Sequence, residues 1–368
     1  MRITIESKEL TKALAVASSM AGRDRTLPIL DCVKCVVKGM AMSVTSFNNE
    51  IAVRRMIPLL SSEGDMSFCI NARDFLAYSR TVKGEVAVID ISEDLKTCSF
   101  VHDRGEMNLP LLPVEDFPVI TNEERKDGFV IEASLLREWV SISAGFVGSD
   151  KLRPVTANMW IYVDGGKIGC CASDSFKMFL DESPANPEWK SMQMLIQNSA
   201  FKVIADACVD AEYANIKVGD STYIVSVGAT TILCRKVEYK YPDVRKVVPS
   251  TCDHSAAVNT TELGEAVERA LLAADTKTML LKFEIVPGML TISSEDVMNS
   301  KKNKESVECL CGCTKMFSVQ GENFLRCLNT CSGETVTLSF NESERSPIIC
   351  KGADDEGRKL LAMPLVAR

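Results

Sequence analysis

The sequence predicts an α+β protein built from three repeated domains. The first observation is a threefold repeat in which an alternating strand runs into an amphipathic helix. The second is that the back half of each segment contains another strand followed by a helix. The third is the alternation of apolar and polar residues between the helices, which is typical of antiparallel strands. The chain therefore reads as six strand–helix–strands units paired into three domains.

The front helix of each segment carries apolar residues at the i, i+3, i+4, i+7 spacing of one helix face. Corresponding residues lie about 126 positions apart, which is the size of a small domain. Ser and Thr residues just before these stripes predict side-chain caps at the helix starts. The three stripes are Leu10, Ala13, Leu14 and Ala17; Leu136, Trp139, Val140 and Ser143; and Leu263, Ala266, Val267 and Ala270.

The back helices follow short apolar strands. We predict helices over about residues 72–81, 199–208 and 323–330. Proline-containing strings at Phe117-Pro118 and Tyr241-Pro242-Asp243 mark the linkers. The predicted domains are residues 1–122, 123–250 and 251–368.

Composition describes an ordinary globular chain, with 46% apolar and 25% charged residues and a net charge of −8. No stretch approaches the roughly 20 apolar residues of a membrane span. The amino terminus alternates like a strand and lacks the apolar core of a secretion signal. Fifteen cysteines without such a signal indicate reduced thiols. We therefore expect a cytoplasmic protein that does not bind membranes.

Motifs for catalysis and nucleotide binding are missing from the sequence. It has no phosphate-binding GxxxxGK[ST] loop, no GxGxxG turn, no HExxH helix and no GxSxG elbow. The chain has two histidines, His102 and His254, which are far apart. These observations predict a protein that is not an enzyme, with no catalytic residues and no cofactor.

The cysteines leave one alternative open. Cys309, Cys311 and Cys313 are followed by Cys327 and Cys331, but this is not the usual spacing of zinc ligands. At strand period the first three share a face with Val307, which favours small core residues. We predict no metal site, and a cysteine-based metal protein remains the alternative.

Several strings resemble the bacterial DNA polymerase III beta-subunit family, the DNA sliding clamps. The resemblance covers the whole chain and preserves the order of the three domains. Leu152–Val155 is similar to clamps of Bacteroides-like bacteria, and a divergent or phage-borne clamp is a further possibility. The strings are Thr26–Leu30, Asp116-Phe117-Pro118, Tyr241–Val247 and Leu361–Leu365.

The resemblance implies three DNA-clamp domains, each with two helices packed on antiparallel sheets. Two such chains form a head-to-tail dimeric ring that encircles double-stranded DNA without sequence specificity. The implied function is that of a replicase processivity factor, which tethers the replicative polymerase and the clamp loader through short peptide motifs. A clamp-like protein-binding scaffold that does not encircle DNA is the second alternative.

The resemblance also implies DNA contacts from basic residues on helices and turns. A helix face that is merely solvated is the competing interpretation. The candidates are Arg23, Arg25, Arg73, Arg80, Lys83, Arg137 and Lys202.

A partner-peptide pocket is implied between the second and third domains. The family's Thr-Asp-Gly-His-Arg-Leu pattern is replaced here by residues 173–178, and Phe176 predicts a preference for bulky apolar or aromatic peptide residues. The apolar members are equally typical of an ordinary core. The matching residues are Thr156, Ser173, Ser175, Phe176, Lys177, Met178, Pro242, Lys246, Val247, Leu361 and Met363.

The implied dimer interface joins an edge strand of the first domain to a helix of the third. Met107 and Leu109 are expected to contact Leu271 and Leu272 of the second copy. Apolar residues on an edge strand need a cover, which a partner chain supplies. Pro110 removes one backbone donor from this edge.

Overall fold

The fold comes from a computed structural model that describes residues 1–22, 27–82, 84–102, 105–120, 127–150, 152–237 and 239–365. It is an α+β fold with long antiparallel sheets and six α-helices in these residues. The helices are α1 Ser7–Ala17, α2 Ala72–Thr81, α3 Ala133–Ser143, α4 Asn198–Ala207, α5 Thr260–Leu271 and α6 Gly321–Leu328.

The strands follow the repeat along the chain. They are β1 Arg2–Glu6, β2 Cys32–Lys38, β3 Ala41–Phe47, β4 Ile51–Pro58, β5 Ser61–Ser62, β6 Met66–Asn71, β7 Val86–Ile91, β8 Thr97–His102, β9 Gly105–Leu112, β10 Asp127–Glu132, β11 Asn158–Asp164, β12 Lys167–Ser173, β13 Lys177–Pro184, β14 Met192–Gln197, β15 Tyr213–Val218, β16 Thr222–Val227, β17 Thr230–Arg235, β18 His254–Asn259, β19 Leu280–Val286, β20 Met289–Asp296, β21 Lys301–Leu310, β22 Lys315–Gln320, β23 Thr335–Phe340, β24 Ile348–Gly352 and β25 Lys359–Ala362.

The chain divides into two compact units. The first comprises Met1–Glu138 and Ser199–Val237, and the second comprises Trp139–Asn198 and Glu238–Arg368. The sheet of the first unit has the strand order β10-β15-β16-β17-β4-β3-β2-β6-β9-β8-β7-β1-β5. That of the second has the order β14-β11-β12-β13-β25-β24-β23-β18-β21-β20-β19-β22.

The predicted apolar stripes face the interior. All twelve residues named for the front helices are buried. In the first unit, α1 packs beside α2, whose Phe75 and Tyr78 lie 5.2 and 4.5 Å from the ring of Phe100. In the second unit, α5 packs beside α6, and Phe283 stacks on Phe317 at 5.0 Å. Helical periodicity in the sequence thus located the core faces correctly.

The predicted Ser and Thr caps are wrong where the structure shows the helix starts. Asn71 caps α2 by accepting hydrogen bonds from the amides of Arg73 and Asp74, and Asn259 caps α5. Gln320 plays this part for α6, and α1 has no side-chain cap. Of the front helices, α5 begins at Thr260 itself, because the side chain of the preceding Asn259 supplies the acceptor.

The predicted shared face of the three cysteines is also wrong in part. β21 ends at Leu310, so Val307 and Cys309 are buried side by side on the strand. Cys311 and Cys313 lie in the following turn and are partly exposed.

Candidate functional site

A cavity of about 290 Å³ in the second unit is walled mainly by apolar side chains. It brings together nine of the eleven residues that were expected to form the partner-peptide pocket. The lining residues are Thr156, Ser173, Ser175, Lys177, Met178, Tyr241, Pro242, Val244, Val247, Leu361 and Met363.

Backbone pairing explains why distant segments meet here. In the antiparallel ladder between β13 and β25, Met178 lies opposite Leu361. One step beyond the ladder, the amide of Met363 donates a 2.8 Å hydrogen bond to the carbonyl of Phe176. Residues 178, 361 and 363 therefore share the cavity because the last strand adds to the edge of β13.

The turn between β12 and β13 is held by its own side chains. The Asp174 carboxylate accepts hydrogen bonds from the amides of Phe176 and Lys177, at 2.8 and 2.9 Å. The Ser173 hydroxyl donates to the carbonyl of Lys177 at 2.8 Å. Ser175 adopts a φ of 80°, in the left-handed region that favours glycine. This fixed turn places Ser173, Ser175 and Lys177 along one wall.

Lys177 is the charged side chain of the wall. Its ammonium group donates to Asp174 Oδ2 at 2.5 Å and to Asn323 Oδ1 at 3.0 Å, and the side chain is only 13% exposed. Asn323 belongs to α6, so this contact ties the turn to that helix. Because Asp174 neutralises the ammonium group, the wall presents little net charge.

Two expected members do not line the cavity. Phe176 is half exposed, and Lys246 is largely exposed and forms a 3.7 Å ion pair with Asp243. The reversal of direction at Ser175 explains why Phe176 differs from its neighbours. The aromatic preference predicted from Phe176 thus has no basis in the lining.

Two lining residues, Tyr241 and Val244, were missed by the sequence reading. The Tyr241 ring is nearly parallel to that of Trp160, with 5.6 Å between the centroids and an angle of 18°. Burial, together with the neighbouring Cys171 thiol, raises the pKa of the Tyr241 hydroxyl. The available signal was the aromatic residue directly before Pro242, which was interpreted only as part of a linker.

The described DNA candidates are surface residues on three helices. Arg73 and Arg80 are exposed on α2, on the side opposite buried Phe75 and Tyr78. Arg137 is exposed on α3, and Lys202 on α4 forms a 3.0 Å ion pair with Asp206. Arg23, Arg25 and Lys83 lie outside the described residues.

The expected dimer residues differ in exposure. Met107 and Leu109 lie on the same face of β9, where Met107 is 39% exposed and Leu109 is buried. Leu272, directly after α5, is 76% exposed. Leu271 is partly buried and contacts α6 at Gly321.

Two thiols lie close together in the turn after β21. Cys311 Sγ and Cys313 Sγ are 3.3 Å apart, and burial together with Cys311 raises the pKa of Cys313 to about 11. Within the described residues, no three His, Cys, Asp or Glu side chains are grouped to hold a metal ion. No helix in that part of the chain is long and apolar enough to cross a membrane.

Two sequence profiles of one family match the chain. Residues 1–121 match the N-terminal domain of the DNA polymerase III beta subunit, and residues 245–366 match its C-terminal domain. Together they cover about two thirds of the sequence.

Known proteins agree with these matches over the full length. The beta sliding clamp of Pseudomonas aeruginosa is 22% identical over 367 residues, covering 99% of this chain and all of the relative. That of Bacillus subtilis is 23% identical over 385 residues, covering 99% of both chains.

Solved structures show the same fold. The DNA polymerase III beta subunit of P. aeruginosa superposes with a TM-score of 0.94 at 21% identity, covering all of both chains. The one from Thermotoga maritima gives a TM-score of 0.91 at 18% identity, with the same coverage. The chain therefore belongs to the DNA polymerase III beta-subunit family and is a DNA sliding clamp, a processivity factor of the replicase that is not an enzyme.

Proposed function

We propose that two copies of this chain join head to tail into a ring around duplex DNA in the cytoplasm. The cavity of the second unit then docks short apolar peptides from the replicative polymerase and the clamp loader. We further propose the domain limits 1–122, 123–250 and 251–368. A closed ring stays on DNA by topology, so it needs only weak, sequence-independent phosphate contacts.

The observation that carries the dimer is a strand pairing that occurs twice within the chain. In the first unit, β17 is the second strand of a hairpin and adds to the free side of β4. In the second unit, β25 follows β24 and adds to the free side of β13. We call this pairing the joint: the last strand of one repeat adds to the fourth strand of another.

One more last strand and one more fourth strand exist in the chain, and they do not pair with each other. β9 ends the first repeat, and its residues Gly105–Pro110 pair only with β8 among the described strands. β21 is the fourth strand of the third repeat, and among the described strands its residues Lys301–Glu308 pair only with β20. A second copy supplies the missing partner for each edge, which gives a closed head-to-tail dimer.

The two existing joints define the register of the third. Cys234 lies opposite Ile51, and Ala362 lies opposite Lys177; Ile51 and Lys177 are the first residues of β4 and β13. The corresponding first residue of β21 is Lys301.

Leu109 is the fifth residue of β9 and Cys234 is the fifth residue of β17, each counted from the hairpin turn before its strand, so the two residues are equivalent. Leu109 should therefore lie opposite Lys301 of the second copy. Counting along the antiparallel strands then places Glu106 opposite Lys304. Directly opposed unlike charges stabilise a strand pair by roughly 0.2–1 kcal/mol, and like charges destabilise it.

Charge exchange tests this register. Glu106→Lys and Lys304→Glu should each weaken the dimer several-fold, because each places like charges opposite one another, and the double variant should recover most of the loss. The dimer dissociation constant is measured by sedimentation equilibrium. Lys351→Glu on β24 is the control for a change in net charge.

A monomeric wild-type protein would overturn the ring. A dimer in which the double variant is no tighter than the single variants would overturn the register alone.

The cavity supports the docking proposal by its lining, which is apolar and has little net charge. Such a surface fits a peptide with two or three apolar anchors and a polar rim. A P. aeruginosa clamp has been solved bound to griselimycin. We expect griselimycin to compete with labelled apolar peptides for this chain, and mutation of the cavity to weaken both.

A further inference from the structure

The thiols of Cys311 and Cys313 are placed to react with each other. Both residues are partly exposed in the turn after β21, and their Sγ atoms are 3.3 Å apart. Gly312 stands between them, and a Cβ added there would meet no atom within 4 Å, so no neighbour hinders a tighter turn. A disulfide needs an S–S distance of about 2.0 Å. Rotation of the two side chains can therefore bring the sulfurs to bonding distance.

The third cysteine of this segment is held elsewhere. Cys309 lies on β21, is buried, and directs its thiol to the carbonyl of Val286 at 3.9 Å. It lies opposite Val258 in the ladder between β21 and β18. A bond from Cys309 to either of the other two sulfurs would require the end of this strand to open. The pair available for reaction is therefore Cys311 and Cys313.

We propose that Cys311 and Cys313 form a thiol–disulfide exchange site whose substrate is a low-molecular-weight disulfide such as oxidised glutathione. The Cys311 thiolate attacks one sulfur of that disulfide, breaks its S–S bond and releases one glutathione thiolate. Cys313 then passes its proton to the second glutathione sulfur and displaces it from Cys311. The protein keeps a Cys311–Cys313 disulfide, and its two electrons have reduced oxidised glutathione to two separate glutathione molecules.

The order of attack follows from the protonation of the pair. Burial, and after it the hydrogen bond with Cys311, raises the pKa of Cys313 to about 11. Cys313 therefore keeps its proton at neutral pH and donates it towards the sulfur of Cys311. A hydrogen bond to the charged form favours a thiolate, which is the nucleophile in the exchange. Cys311 is thus the attacking sulfur, and Cys313 resolves the mixed disulfide.

This site is separate from the surfaces already assigned. Neither cysteine lines the cavity, and both follow the end of β21, beyond the stretch that is proposed to pair with a second copy. Disulfides that form in a reducing compartment are usually transient and report its redox state. The turn would respond in this way while leaving the cavity and the open edge of β21 unchanged.

A second cysteine pair provides an internal control. Cys32 and Cys35 have the C-x-x-C spacing of many redox motifs, but both are buried on β2. They belong to different core clusters, because residues three apart on a strand point to opposite faces. Their sulfurs cannot meet without unfolding of the strand, so this pair should remain reduced in the folded protein.

Mass spectrometry of one tryptic peptide tests the proposal. Residues 305–315 follow Lys304, end at Lys315 and contain all three cysteines of the segment. The folded full-length protein is equilibrated in mixtures of reduced and oxidised glutathione, quenched with acid, alkylated with N-ethylmaleimide in denaturant and digested. As the share of oxidised glutathione rises, we expect this peptide to lose two hydrogen atoms and to carry one alkyl group instead of three. Cys32 and Cys35 should stay alkylated throughout.

Single substitutions identify the partners. Cys309→Ser should leave the disulfide unchanged, whereas Cys311→Ser should abolish both the disulfide and any glutathione adduct on the peptide. Cys313→Ser should trap glutathione on Cys311, because the second displacement is lost, and dithiothreitol should release it. Thermal melting shows that each variant is folded.

Four results would overturn the inference. They are a peptide that stays fully reduced at the most oxidising ratio, a bond that includes Cys309, oxidation of Cys32 and Cys35 to the same extent, and zinc binding. In the last case, the reduced protein would hold one equivalent of zinc that Cys311→Ser removes, and the pair would be part of a metal site instead.

Discussion

At the scale of single residues, the cavity depends on how Lys177 is compensated. A lysine in an apolar wall would ordinarily attract an acidic ligand, but here Asp174 and Asn323 occupy its ammonium group. The remaining surface is supplied mainly by side chains such as Met178, Leu361 and Met363. Peptide docking should therefore depend on apolar burial and respond little to salt.

Met363 is the residue whose truncation measures that burial most directly. Met363→Ala removes an unbranched apolar side chain from the wall but leaves the β13·β25 ladder intact, since Met363 follows β25. We expect a loss of about 1–3 kcal/mol in peptide binding, as for an anchor contact. Isothermal titration calorimetry measures the loss.

Met316→Ala is the matched control, because Met316 is 66% exposed on β22 and does not line this cavity. Equal affinity losses in the two variants would show that the cavity is not the docking site.

The sequence identified most of the cavity but not its aromatic wall. Residues 361–363 were found because they resemble a known motif, and residues 173–178 because they stand where the family has a different one; strand pairing does bring the two segments together. Tyr241 was missed because its contact with Trp160 joins residues 81 positions apart, and no periodic pattern reports such a contact. Phe176 was wrongly placed in the lining because residue type does not reveal which way a side chain points in a turn.

At the scale of elements, α2 is the best-defined basic helix among the described residues. Phe75 and Tyr78 hold one side against the core, and Asn71 caps its start. Arg73 and Arg80 are seven residues apart, which places both on one exposed side. We propose that this arrangement contacts phosphates without reading bases.

Removing these two charges should weaken DNA binding uniformly over sequences. For Arg73→Ala with Arg80→Ala, we expect the slope of log K against log salt to fall by about one for each lost phosphate contact. Anisotropy titrations of a labelled duplex at several salt concentrations give the slope.

Lys202→Ala is the comparison for this experiment, since Asp206 already neutralises that lysine. Its effect should be smaller. Strong discrimination between duplexes of different base sequence would contradict the phosphate-tracking role.

Helix positions were predictable at this scale because burial imposes the 3.6-residue period. The exact starts of the helices were less predictable. Thr260 was a reasonable candidate for a cap, but its hydroxyl donates to the carbonyl of Gly333, and Asn259 caps the helix instead. Tertiary contacts of this kind are invisible in a local pattern.

At the scale of the whole molecule, a stretch of β9 in the first unit and a stretch of β21 in the second each pair on one side only among the described strands, and the proposed dimer covers both. The apolar side chains near β21 support this assembly. Leu272, Val297 and Met298 are each more than three-quarters exposed, and the Lys301 ammonium group donates to the carbonyl of Leu272. Exposed apolar side chains beside an open edge indicate a surface that is covered in the assembly.

Leu272→Glu should give a protein with the mass of one chain. The glutamate places an unpaired charge in the contact with β9 of the second copy, and an exposed position tolerates it without loss of folding. Static light scattering measures the mass. Leu271 is less suitable for this test, because it is partly buried and contacts Gly321.

Leu310→Glu is the control, since Leu310 is 82% exposed at the other end of β21, where the strand pairs with β18. An unchanged mass for Leu272→Glu, or the same loss of mass for Leu310→Glu, would refute the interface.

The joint between last and fourth strands also determines how many chains make a ring. The second repeat contributes β17 to one joint and accepts β25 in the other, and in the proposed dimer every repeat does the same. The geometry of the joint is then a property of the repeat and not of the chain. If six repeats complete a circle, each joint turns the path by one sixth of a revolution. If each polypeptide carried two such repeats, three polypeptides would be needed to close the circle. In the proposed ring, the number of chains thus depends on how many repeats each polypeptide carries, and not on the pairing of residues such as Cys234 and Ile51 within a joint.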